Sequence, residues 1–152
     1  MTRRVLIVVA RLALAAVFLW AAIAKLREPW LLFAANIDSL QLLPEPMVLF
    51  VARTLPWAEL ALGVLLLVGL KLRYVAAAAT GLLVTFFGVV LRSYILDVGG
   101  DCGCFGPGEA LGPATIARDA ALLGVSVWLT WESFRAERPN SPARLRSGFF
   151  AA

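Results

Sequence analysis

Cys102 and Cys104 are the only cysteines in a chain that has no histidine. They stand one glycine apart in Asp97-Val98-Gly99-Gly100-Asp101-Cys102-Gly103-Cys104-Phe105-Gly106-Pro107-Gly108-Glu109, the one long polar, glycine-rich break in the apolar second half of the sequence. A disulfide across Cys-x-Cys closes a smaller ring than one across Cys-x-x-Cys, and strained disulfides are reduced more easily. Gly103 supplies the backbone freedom such a ring requires. Closing so short a loop gains little stability, so the pair suits exchange better than stapling. Two other uses stay open. One is a fixed disulfide, local or to a partner protein. The other is a soft-metal site that would recruit ligands other than histidine.

The elements that must hold this loop are apolar. Of 152 residues 61% are hydrophobic and 16% charged, and the mean hydropathy is +0.85. A soluble domain is about half apolar, so the excess points to a bilayer as the solvent. The net charge of +4 comes from scattered Lys and Arg with no nucleic-acid motif, so no nucleic-acid partner is expected.

Four runs have the length of membrane spans, about 5–26, 47–70, 74–96 and 115–134. Thr2-Arg3-Arg4 and Ala22-Ile23-Ala24 resemble the two ends of a cleavable signal peptide. The apolar run is long for one, however, and Lys25-Leu26-Arg27 follows at once, so a retained span is expected. Glu28-Pro29-Trp30 reads as a helix start. Trp30, Phe33, Ala34, Ile37 and Leu40 then recur at helical spacing in a segment too short and polar to span, which suggests an interfacial helix ended by Pro44-Glu45-Pro46. Pro56 should kink the second span. Ala and Gly in the third should let its neighbours approach closely. The tail, 135–152, carries Arg135, Arg138, Arg144 and Arg146 with two prolines and is expected to be disordered.

Arg3 and Arg4, Lys71 and Arg73, and the tail arginines fall on one side of an up-down four-helix bundle. The positive-inside rule makes that side, and both termini, cytoplasmic in the inner membrane. The Cys loop then faces outward, where a disulfide is permitted. Lys25, Arg53, Glu59, Arg92, Arg118 and Asp119 fall at similar depth beneath it. Charges in a bilayer usually face the bundle interior, so one buried polar cluster is expected, although interfacial snorkelling would also accommodate several of them. Cations in that cluster would stabilise a thiolate, the reactive form of cysteine.

These residues resemble a known family. Asp101-Cys102-Gly103-Cys104-Phe105-Gly106 with Arg118 in the next helix looks like the signature of the methylamine-utilisation protein MauE family, among the DoxX-like four-helix membrane proteins. Phe18, Lys25 and Leu26, then Pro56 and Glu59-Leu60-Ala61-Leu62-Gly63, also match, and the likeness covers roughly residues 5 to 134. The family's Arg-Asn in the fourth helix is here Arg118-Asp119. The resemblance implies a part in maturation of the disulfide-rich small subunit of methylamine dehydrogenase or, more broadly, periplasmic thiol-disulfide work. It makes Cys102 and Cys104 the redox pair.

The expectation is therefore an all-α, DoxX-like integral membrane domain over 1–134 with a short interfacial helix between the first two spans. Cys102 and Cys104 would exchange disulfides, and Lys25, Glu59, Arg92 and Arg118 would form a polar cluster in support. Its partners would be an exported thiol-containing client and a thioredoxin-like periplasmic protein. No bound cofactor or metal is expected, and a quinone could serve as electron acceptor by fold-level analogy. The rivals are a non-enzymatic membrane subunit and a small transporter or metal-handling protein built on Lys25, Glu59 and Arg118.

Overall fold

Long apolar runs satisfy their backbone groups internally as helices. The computed structural model describes residues 2–40, 42–96 and 112–136, and every regular element among them is an α-helix. These are α1 (Thr2–Arg27), α2 (Trp30–Ser39), α3 (Glu45–Val68), α4 (Leu72–Ile95) and α5 (Pro113–Ala136). By length and composition α1, α3 and α4 are able to cross a membrane. The fourth expected span, α5, has 24 residues, about 36 Å at 1.5 Å per residue. Arg118, Asp119, Glu132 and Arg135 make it less apolar, and it does not join that class.

Two boundaries differ from expectation. Pro29 is the N-cap of α2 rather than its first residue. Pro44-Glu45-Pro46, expected to end α2, instead opens α3: Pro44 is its N-cap and Pro46 lies in its first turn. A proline is tolerated there because the missing N–H would have had no helical partner, and Glu45 complements the helix dipole. Pro56 is buried inside α3, where it leaves a carbonyl without its helical donor, and the helix continues through it.

The helices pack in the ring order α1–α3–α4–α5. The contacts are closest within α1/α3 and α4/α5, while the backbones of the diagonal pairs α1/α4 and α3/α5 stay apart and only side chains reach across. The α1/α3 approach centres on Gly63, where a Cβ would stand 2.8 Å from Leu19 Cγ and 3.1 Å from the Leu19 backbone nitrogen. In α4 the residues that permit close packing are alanines, with Ala76 and Ala79 fully buried, whereas Gly81 and Gly88 face open space. Thr80 joins the two helices through hydroxyl contacts to Ser126 (2.7 Å) and Thr130 (2.9 Å). Leu14, Ala15, Phe18, Leu66, Val75 and Leu129 fill the centre. Large apolar side chains such as Phe50, Trp57, Val68 and Ile95 point outward, as suits an apolar solvent.

One end of the bundle gathers Arg3 and Arg4, the α3–α4 turn with Lys71 and Arg73, and Arg135; it is the basic end. Gly69 makes that turn possible, closing α3 at φ 79° while its N–H donates to Leu65 O. The Arg11 guanidinium lies against Gly69, so its charge meets the negative end of the α3 dipole. At the opposite end α2 lays Phe33 and Ala34 on Val48 and Ala52, in the part of α3 that precedes its pairing with α1. That end also receives the termini of the α4–α5 connection, and it is the loop end. Cys102, Cys104, Asp97, Asp101 and Glu109 lie outside the described residues, as does the tail from residue 137.

Candidate functional site

Lys25 stands two residues before the end of α1 and Glu59 lies in the middle of α3. They meet because α1 and α3 run antiparallel and are drawn together at Gly63, one helical turn from Glu59. Lys25 Nζ donates to Glu59 Oε1 at 2.9 Å and to Oε2 at 3.0 Å. Both side chains are only 3% exposed. The ammonium also lies 5.6 Å from the ring centroids of Phe33 and of Phe86, so α2 and α4 close over it with aromatic faces.

Asp119 of α5 shares the interior of this site. A cavity of about 40 Å³ between the four long helices is bounded by Phe18, Lys25, Glu59, Phe86 and Asp119. It could hold about one water molecule, given about 30 Å³ per water in the liquid. Asp119 is buried, and Arg118 Nε donates to its Oδ1 at 3.0 Å. Arg118 is about one-third exposed and joins the site through this bond, so it lies at the rim.

Three of the six expected charges, Lys25, Glu59 and Asp119, therefore meet in one interior, with Arg118 attached. Two do not. Arg92 is exposed on α4, although it lies at the expected depth, because its direction around the helix turns it outward. Arg53 is also exposed and stacks on Trp30, 4.8 Å from the ring centroid. The expected excess of positive charge is corrected as well. Lys25 and Arg118 each sit against a carboxylate, so the formal charges of the cluster cancel.

Sequence reasoning placed Asp119 in the buried cluster, as found, but gave it no part in the supporting site because it departs from the family pattern that suggested Arg118. The signal was its spacing from Leu122, one helical turn further along α5 and also on the cavity wall. A second buried acid escaped notice altogether. Glu132 pairs with Arg3 at the basic end.

Such a site, with buried opposite charges inside a helical bundle whose outer surface is apolar, defines an integral membrane protein with a polar interior at one end. The chain matches the family model described as methylamine utilisation protein MauE over residues 3–132, and it belongs to that family. No curated protein and no solved structure matches it.

Proposed function

We propose that this membrane protein carries out thiol-disulfide exchange through Cys102 and Cys104, in support of the folding or maturation of an exported protein. The observation that carries the reading is the Lys25–Glu59 pair with Asp119, buried at the bundle end where α4 and α5 present the two ends of the cysteine loop. Apolar residues fill such a volume as well or better, so a buried ion pair is a poor device for stability and in a membrane usually marks function. Family membership supports a link to methylamine utilisation. The client by family resemblance is the disulfide-rich small subunit of methylamine dehydrogenase or a related exported protein.

In this scheme a client thiolate attacks one sulfur of the Cys102–Cys104 disulfide, breaking that S–S bond and forming a mixed disulfide. A second client thiolate attacks the mixed disulfide and releases the Cys102/Cys104 dithiol. The client loses two electrons and two protons, and the dithiol gains them. Regeneration passes two electrons and two protons to a quinone or to the disulfide form of a thioredoxin-like periplasmic protein. Because the cluster is charge-balanced, Glu59 and Asp119 serve as proton acceptors near the loop, and thiolate stabilisation by net positive charge is not required. The chain sits in the inner membrane with the basic end cytoplasmic and α5 as a fourth crossing.

The test is thiol trapping in intact cells with a bulky maleimide that does not cross the inner membrane. Wild type shifts on a gel only after mild reduction, and either Cys102→Ser or Cys104→Ser accumulates a mixed disulfide with the client. Thiols that are always free, or a disulfide that resists mild reduction with no trapped partner, would end this reading. A docking subunit would instead keep its function with serine at both cysteines, and a transporter would lose it only on change at Glu59.

A further inference from the structure

We infer that the cavity between α2, α3 and α4 binds the ring of a lipid-soluble quinone, with the Ser93 hydroxyl donating to a ring carbonyl. The cavity measures about 360 Å³, near the lower end of small-molecule sites, which begin at about 300 Å³. It is apolar, with Phe33 and Phe86 in its wall. Its mouth lies between α3 and α4, where Thr54, Ala58 and Thr85 are exposed. Both helices are long and apolar enough to span the membrane, so a ligand entering there arrives from the lipid.

Ser93 identifies the ligand's chemistry. It is 1% exposed, and its Oγ has no hydrogen-bond partner among the described residues. The usual escape for a helical hydroxyl is to donate to the carbonyl four residues back. Thr54, Thr80, Thr85 and Ser133 all do so. Ser93 does not, and it lies in the wall of the cavity. A lipid tail would fill an apolar slot without giving this donor an acceptor; a carbonyl-bearing ring supplies one. Phe33 and Phe86 line the cavity and turn ring faces toward Lys25 Nζ, 5.6 Å from each centroid. The cavity and the buried ion pair thus share an aromatic wall. The quinone's role as electron acceptor rests on the exchange reading: the Cys102/Cys104 dithiol would become the disulfide as the quinone takes two electrons and two protons to become the quinol. Its binding does not rest on that reading.

The experiment uses the full chain in detergent micelles, with both cysteines changed to serine, titrated with a benzoquinone bearing one isoprene unit and read by quenching of tryptophan fluorescence. Saturable one-to-one quenching is expected. Ala58→Phe, at the mouth, should abolish it, and Ser93→Ala should weaken it about fivefold, the value of one neutral hydrogen bond. Ser93→Ala removes only an unpaired oxygen, so it carries the test if Ala58→Phe fails to fold. Quenching no greater than in empty micelles overturns the inference. So does binding that Ser93→Ala leaves unchanged and oleate displaces, which would make the cavity a slot for acyl chains. Failure here alongside a trapped mixed disulfide moves the acceptor elsewhere and spares the exchange reading. Binding without any trapped disulfide does the reverse.

Discussion

The two ends of the bundle each hold an acid against a base, and they treat the pair differently. At the loop end Lys25 and Glu59 are both 3% exposed and joined by two hydrogen bonds, with aromatic rings and a small cavity around them. At the basic end Glu132 is nearly buried but its partner Arg3 is 58% exposed. Arg3 reaches inward from the helix end while most of its side chain stays outside, as long basic side chains do at a membrane surface. Neither partner at the loop end has that escape. A base against a glutamate is therefore an anchor at one end and a fully desolvated pair at the other, and the second is the costlier to bury.

The largest break in this comparison is Lys25→Met. It leaves Glu59 buried and uncompensated, and removing one partner of a buried pair costs about 3–5 kcal/mol. The expected outcome is loss of the folded monodisperse protein, read by size exclusion in detergent and by thermal melting. Changing both partners, Lys25→Met with Glu59→Leu, should restore most of that stability, since apolar residues of similar volume replace buried pairs with little penalty. If the double variant melts no higher than Lys25→Met, the pair is not an isolated unit and Asp119 shares its charge. A stable double variant that no longer forms a mixed disulfide with the client would separate the function of the pair from its packing.

Gly63 sharpens the same end with a smaller effect. An alanine there must displace Leu19, whose backbone nitrogen would stand 3.1 Å from the new methyl. Overpacking of this kind costs about 1–3 kcal/mol. Because Gly63 lies one turn from Glu59, spreading α1 from α3 also lengthens the Lys25–Glu59 hydrogen bonds. Gly63→Ala should lower the melting temperature and weaken mixed-disulfide trapping together, whereas Gly81→Ala, where a Cβ meets nothing within 4 Å, should do neither.

What the sequence revealed follows from what one dimension encodes. The long helices, the short α2 and the depth of each charge were legible, because length and apolar runs fix them. Direction around each helix was not. Each residue turns the side chain by about 100°, so Arg92 is exposed while its neighbour Ser93 is buried, and Arg53 is exposed beside buried Ala52. Depth alone grouped the two arginines with Lys25 and Glu59. Glu132 was obscured for the opposite reason. An acid near the basic end of a span could as well reach the interface, and only the packing of α5 against α1 and α4 buries it. The Arg3–Glu132 contact joins residues 129 apart in sequence, which no local pattern announces.

The smallest expected effect tests the basic end directly. Arg3→Ala should cost about 0–1 kcal/mol, the range for ion pairs with an exposed partner. That cost should vanish in 1 M salt, where the Debye length falls to about 3 Å and solvent ions replace the guanidinium. Thermal melting of wild type and Arg3→Ala at low and high salt measures both points. The same salt series on Lys25→Met should leave its penalty unchanged, because counterions do not enter a site 3% exposed. A salt-independent loss of several kcal/mol in Arg3→Ala would mean that Glu132 is as sequestered as Glu59. The bundle would then hold two functional interiors, and exposure of the basic partner would no longer separate an anchor from a site.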